Sequence, residues 1–168
     1  MNGTSGTATA IAAGWGYSCA IQSGTGAVVC WGSDSHGQST PPSSVNGTSG
    51  SATAIAAGTI HSCAIQGGTS AVVCWGSNDS GQSTPPPSVN GTSGTATAIA
   101  AGFDHSCAIQ SGTDAIICWG GSSYYGQLTP PASVNGTFGG ASAISASTFF
   151  TLAIAAPYTD TDADGVLD

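Results

Sequence analysis

Small and apolar residues alternate with polar ones in short runs, and the runs recur along the chain. TATAIAAG at 7–14, SCAIQ at 18–22 and AVVCW at 27–31 each show period-two patterning over about five residues, bounded by Gly or polar turn residues. That pattern, with β-branched side chains in all three runs, predicts three consecutive strands. The loop GSDSHGQSTPPSSV at 32–45 follows them, with GQST as a candidate fourth strand and the prolines placed where no ladder donor is needed. A small antiparallel sheet of this kind cannot bury both faces alone, so neighbouring sheets must stack on it.

Neighbours exist in the sequence. Units begin at Asn2, Asn46, Asn90 and Asn135, in steps of 44, 44 and 45 residues, and the first two units differ at ten of 44 aligned positions. The chain divides into repeats at 2–45, 46–89 and 90–134, a partial unit at 135–156 and a distinct tail at 157–168. A period of this length with three or four strands is the signature of a propeller blade. The expected fold is all-β: tandem antiparallel blades of propeller type, three full and one half, not closed into a ring within this chain.

The recurring phrase AIAAGxxHSCAIxxGxxAVVCWGxxxxGQ resembles the regulator-of-chromosome-condensation repeat in its bacterial secreted variety. The resemblance rests on Gly14, Gly58 and Gly102 at strand ends, on His61 and His105, on the Trp-Gly pairs at 31–32, 75–76 and 119–120, and on the Gly-Gln pairs at 37–38, 81–82 and 126–127. It implies closed rings of about seven blades and relatives as different as a nucleotide-exchange factor on chromatin and a β-lactamase inhibitor. Three full units and a partial fourth depart from that blade number.

Composition narrows the partners. Lys and Arg are absent, and the eight acidic residues, all Asp, give a formal net charge of −8. A chain without Lys, Arg or Glu lacks three strong helix formers and cannot neutralise phosphates, which excludes nucleic acid and anionic membrane surfaces as partners. No apolar run reaches the length of a membrane span, and MNGTSGTATA lacks the basic start and apolar stretch of a signal peptide. The six cysteines form three pairs of equal spacing, which points to an oxidising, extracellular or cell-surface setting.

Counting inward from Cys107 and Cys118 places Ala108/Ile117, Ile109/Ile116, Gln110/Ala115 and Ser111/Asp114 opposite one another. Gly112-Thr113 is left as a two-residue type II′ turn, with Gly24-Thr25 and Gly68-Thr69 as its equivalents. In this register the cysteines face each other within disulfide reach, giving Cys19–Cys30, Cys63–Cys74 and Cys107–Cys118; the alternative is six small buried thiols. The partial unit is an internal control. Leu152 takes the first cysteine's place, and this unit ends before the strand that would carry the second. A Cys–His nucleophile is disfavoured, because Tyr17 and Phe150 replace the histidine in two units and no Lys or Arg is present to stabilise a thiolate. Zinc is disfavoured by the long ligand spacing. No catalytic set is expected.

Every unit opens with Asn-Gly-Thr, so Asn2, Asn46, Asn90 and Asn135 are candidate glycosylation sites, although Asn-Gly is equally a turn dipeptide. In the tail, Asp160, Asp162, Asp164, Val166 and Asp168 match alternating ligand positions of a calcium loop and resemble a thrombospondin type 3 repeat, short of its last acid. Calcium is the one cofactor expected. Two functions follow. The first is a structural module that assembles with further copies of itself, or with the rest of a longer chain, into an extracellular fibre or stalk. The alternative is a propeller that binds a protein or glycan through variable loops bearing Trp15, Tyr17, Phe103, Tyr124 and Tyr125.

Overall fold

A computed structural model describes residues 6–121 and 123–156. The calcium-loop candidates Asp160 to Asp168 and the sequon at Asn2 lie outside them. Blade 1 comprises β1 (Ala8–Ala13), β2 (Tyr17–Gln22) and β3 (Val28–Gly32); blade 2 comprises β4 (Ala52–Ala57), β5 (His61–Gln66) and β6 (Val72–Gly76). Blade 3 comprises β7 (Ala96–Ala101), β8 (His105–Gln110) and β9 (Ile116–Gly120), and among the described residues blade 4 has β10 (Ala141–Ala146) and β11 (Thr151–Ala155). Each blade is an antiparallel meander in chain order. The first strands neighbour one another in series, β1 on β4, β4 on β7 and β7 on β10, so they form the inner side of an open propeller arc.

The middle strands are buried along almost their whole length, because a blade packs on each face of β5 and β8. The apolar clusters are therefore shared between blades. Cys19, Ile21, Val28 and Val45 of unit 1 pack with Ala52, Ala64 and Trp75 of unit 2, and the next cluster repeats the arrangement one unit on.

Three local features differ from the sequence expectation. GQST is a pair of turns and not a fourth strand: Gly37 N–H donates to Asp34 and Thr40 N–H to Gly37, while the Asp34 carboxylate accepts from Ser39 N–H and Thr40 Oγ1 at 2.7 Å each. The edge of β3 is instead capped by one bond from Val28 N–H to the Val45 carbonyl, repeated at Val72/Val89 and Ile116/Val134. Second, the first strand of every blade carries a bulge at Thr9, Thr53, Thr97 or Ser142, which breaks strict alternation. Third, the hairpin loops hold four residues. The N–H of Gly26, Ser70 and Asp114 reaches back to the carbonyl of Gln22, Gln66 and Gln110, with φ of 68°, 57° and 55°. The N–H of Ser23 and Ser111 turns away to the first strand's entry, at Thr7 and Thr95, so the predicted Ser111/Asp114 pair does not form.

Candidate functional site

The cysteines sit where the ladder brings backbones closest. Because Val28 N–H is committed to Val45, Ile21/Val28 is a non-hydrogen-bonded pair, and so is Cys19/Cys30 two residues along, the close type of antiparallel pair. Their Cα atoms lie 4.1 Å apart, with 4.0 Å and 4.1 Å for Cys63–Cys74 and Cys107–Cys118, and all three pairs are disulfides. In blade 4 the register sets Leu152 opposite Ser145, as Cys19 is opposite Ala12.

The residues that looked like chemistry are seam parts. His61 Nε2 lies 2.9 Å from Ser106 Oγ of the next blade, and His105 Nε2 lies 3.1 Å from Thr151 Oγ1. Ser106 donates its one proton to the Gln82 carbonyl at 3.1 Å, so its lone pair accepts from His61 Nε2–H. That tautomer leaves His61 Nδ1 a buried acceptor without a partner. Burial, with a smaller contribution from the charge of His105, lowers the His61 pKa from 6.5 to about 4; burial also lowers that of His105, against an opposing effect of Asp104. Both rings are therefore neutral at pH 7 and hold a position, and neither has a thiolate beside it to activate.

Tyr17 does the same work in blade 1, which corrects its placement among loop anchors. Its side chain is 3 % exposed at the start of β2, its hydroxyl donates to the His61 carbonyl, and Ser62 Oγ donates to it at 2.9 Å. The cause is the shared seam position: a ring of any kind that reaches the next blade's hydroxyl satisfies it. Burial pushes the Tyr17 pKa up to about 12, opposed by the bond from Ser62.

The other repeated residues complete the seam. Trp75 Nε1 donates to the Gln38 carbonyl at 2.9 Å, and Ser62 Oγ, whose one proton is shared between that carbonyl and the Tyr17 hydroxyl, lies 3.0 Å from it; at the Gln82 carbonyl both Trp119 Nε1 and Ser106 Oγ donate. Gln38 is held in turn by its own side chain, whose Oε1 accepts from His36 N–H at 2.8 Å. A Cβ on Gly58 would lie 2.3 Å from His61 Cε1 and 2.6 Å from the Gly102 carbonyl, so only Gly lets ring and neighbouring blade close together. Blade 4 has Ser147 at this position, and there Phe150 is 54 % exposed.

Of the remaining candidates, Trp15, Phe103, Tyr124 and Tyr125 are exposed. Three of these aromatics join a chain of rings: Tyr124 to Tyr125 at 4.8 Å, Tyr125 to Phe149 at 5.3 Å and Phe149 to Phe103 at 5.9 Å. Phe149 was missed by the sequence reading, although the TFF run of the partial unit is its signal. Trp15 and Phe103 border a depression of about 320 Å³ with Gly14, Gly58 and Gly102, where the first strands end. A larger groove of about 370 Å³ lies between Gln127, Val134 and β11.

The sequons have a structural use. Asn46 Nδ2 donates to the Pro41 carbonyl at 3.2 Å while its Oδ1 accepts from Thr48 N–H at 3.0 Å, and Asn90 and Asn135 repeat both bonds.

With this geometry in place, comparison with known proteins is informative. Residues 8–38 match the Regulator of chromosome condensation (RCC1) repeat. The repeat is RCC1-like. Among solved structures, the CRINKLY WD40 ectodomain of the Arabidopsis thaliana receptor kinase ACR4 is similar at 28% identity and a TM-score of 0.65, over 88% of this chain and 45% of that one. The ectodomain of the Physcomitrella patens receptor kinase CR4 matches at 25% identity and a TM-score of 0.69, over 88% and 35%. Prp20p of Saccharomyces cerevisiae, described with its binding to Gsp1p and histones, shares the fold at 18% identity and a TM-score of 0.70, over 94% and 45%. The chain thus spans less than half the length of each of these structures. A search of curated proteins finds no match.

Proposed function

We propose that this chain is a structural repeat module of a secreted or cell-surface protein, built to associate end to end with further blades of its own kind. The observation that carries this reading is a pair of half-seams. On blade 1, Ile11 is 78 % and Trp31 46 % exposed, whereas the equivalent Ile55 packs into the first cluster and Trp75 is 8 % exposed. On blade 4, Leu152 and Ile154 are 63 % and 65 % exposed, whereas the equivalent Cys19 and Ile21 are buried against blade 2. One end presents the residues that a blade offers backward, and the other those it offers forward. Contacts of this head-to-tail kind build open filaments when rotation does not close a ring. The disulfides and the likeness to receptor ectodomains support an extracellular setting. In the same reading, calcium on the acidic tail would be a secondary support, checked by calorimetry on the tail. Sugar on Asn46, Asn90 or Asn135 would replace one of the two amide hydrogens of a nitrogen that already donates to a proline carbonyl.

Sedimentation velocity and negative-stain microscopy of the oxidised protein test the proposal. End-to-end oligomers that grow with concentration, and that Ile11→Asp or Leu152→Asp abolishes, are expected; a monomer at every concentration overturns it. The chain of rings from Phe103 to Tyr124 favours a second reading, a binding module whose exposed aromatics hold an uncharged protein or glycan surface. Glycan-array binding that is lost with Tyr125→Ala and Phe149→Ala would favour it.

A further inference from the structure

Blade 4 lacks a third strand among the described residues, and what surrounds that place is already built. In the first seam, Trp75 of β6 packs among Val28, Val45 and Ala64 and donates to the Gln38 carbonyl. The second seam repeats this for Trp119 with Val72, Val89, Ala108 and Gln82. One unit further on, the equivalents are Ile116, Val134, Ala153 and Gln127, and all four line the groove of about 370 Å³. Ile116, Val134 and Gln127 are at most 6 % exposed, so the socket's floor is shaped even without an occupant.

We propose that this groove is a docking site for an extended strand of the pattern apolar-apolar-x-Trp-Gly, supplied from outside these 168 residues and added to the outer edge of β11. The registers of β5/β6 and β8/β9 define the pose. The donated Trp lies opposite Thr151, as Trp119 lies opposite Ser106, with its indole N–H on the Gln127 carbonyl. The residue before it faces Leu152, and the two apolar residues face Ala153 and Ile154. Backbone pairing supplies affinity and the Trp socket supplies specificity, as in other strand-addition complexes. Leu152 in place of a cysteine means that the incoming strand needs no disulfide. A second intact copy is a poor donor, because its own Trp-bearing strands are paired within their blades and tied by Cys19–Cys30, Cys63–Cys74 and Cys107–Cys118. This site goes beyond the end-to-end reading and stands without it, since a monomer can take up the strand.

The test is fluorescence anisotropy of a labelled peptide, residues 70–77 with Cys74→Ala, titrated with the oxidised chain. Saturable binding is expected, weaker by about tenfold or more when the peptide's Trp75 is changed to Ala. It is expected to be lost when alternate peptide amides are N-methylated, and lost again with Ala153→Asp in the chain, an exposed position whose change leaves the melting temperature unaltered. Equal binding of the Trp and Ala peptides, indifference to N-methylation, or no binding overturns the proposal. Binding that appears only after residues 157–168 are deleted also overturns it, since the tail would then be the occupant.

Discussion

The seam between blades 2 and 3 and the seam between blades 3 and 4 start from the same parts and end differently. Both begin with a histidine reaching a hydroxyl, His61 to Ser106 and His105 to Thr151. In the first, Trp119 closes the gap over the Gln82 carbonyl; in the second, no Trp takes that place among the described residues and a groove lies beside Gln127. The difference shows what the repeated residues are for. Ring, glycine, serine, tryptophan and glutamine are parts of a joint between units, and where the next unit is incomplete the residues that served it change too, as Ser147 for Gly and Leu152 for Cys show.

The joint can be broken at its tightest point. Gly58→Val places a branched side chain against the His61 ring and the Gly102 carbonyl, and a loss of about 3 kcal/mol is expected from denaturant unfolding. Ser147→Gly, at the equivalent place with no blade behind it, should change stability by less than about 0.5 kcal/mol.

Acid should act on the same joint. The folded His61 pKa of about 4 lies below the ordinary 6.5, so the unfolded chain binds the proton first. Its contribution is complete above pH 6.5 and is lost as pH falls towards 4, by roughly 3 kcal/mol on linkage. Unfolding curves across that interval should flatten with His61→Tyr, the ring that blade 1 uses, while part of the slope remains through His105, whose pKa burial also lowers.

The staples act within blades and not between them. Cys63→Ala with Cys74→Ala opens a loop of eleven-residue separation and should cost about 2–3 kcal/mol on the chain-entropy model. The end-to-end association of the variant should be unchanged.

Much of this was legible in the residues. The strands, the blade count and the cysteine register follow from period-two patterning and from the spacing between equivalent positions. Two kinds of feature were not. The four-residue hairpin loop depends on Ser70 and Asp114 adopting positive φ, which neither residue type announces, and on a serine N–H turning to a strand that is distant in sequence. The seam roles of Tyr17 and Gln38 depend on contacts some forty residues away, so Tyr17 was placed on a variable loop when the change from Tyr to His is the exchange of one hydrogen-bonding ring for another. Phe149 joined the aromatic chain from a unit read for its missing cysteine, its Phe150 and its sequon.

A smaller loss tests the joint most directly. Trp75→Phe keeps an aromatic ring and removes the donor to the Gln38 carbonyl, whereas Trp31→Phe makes the same chemical change on blade 1, where the indole is 46 % exposed and no preceding blade lies among the described residues. Paired denaturant titrations should show a loss of about 1 kcal/mol for Trp75→Phe and none resolvable for Trp31→Phe. Equal losses at the two positions would contradict the account, because tryptophan would then be serving its own blade and not the seam.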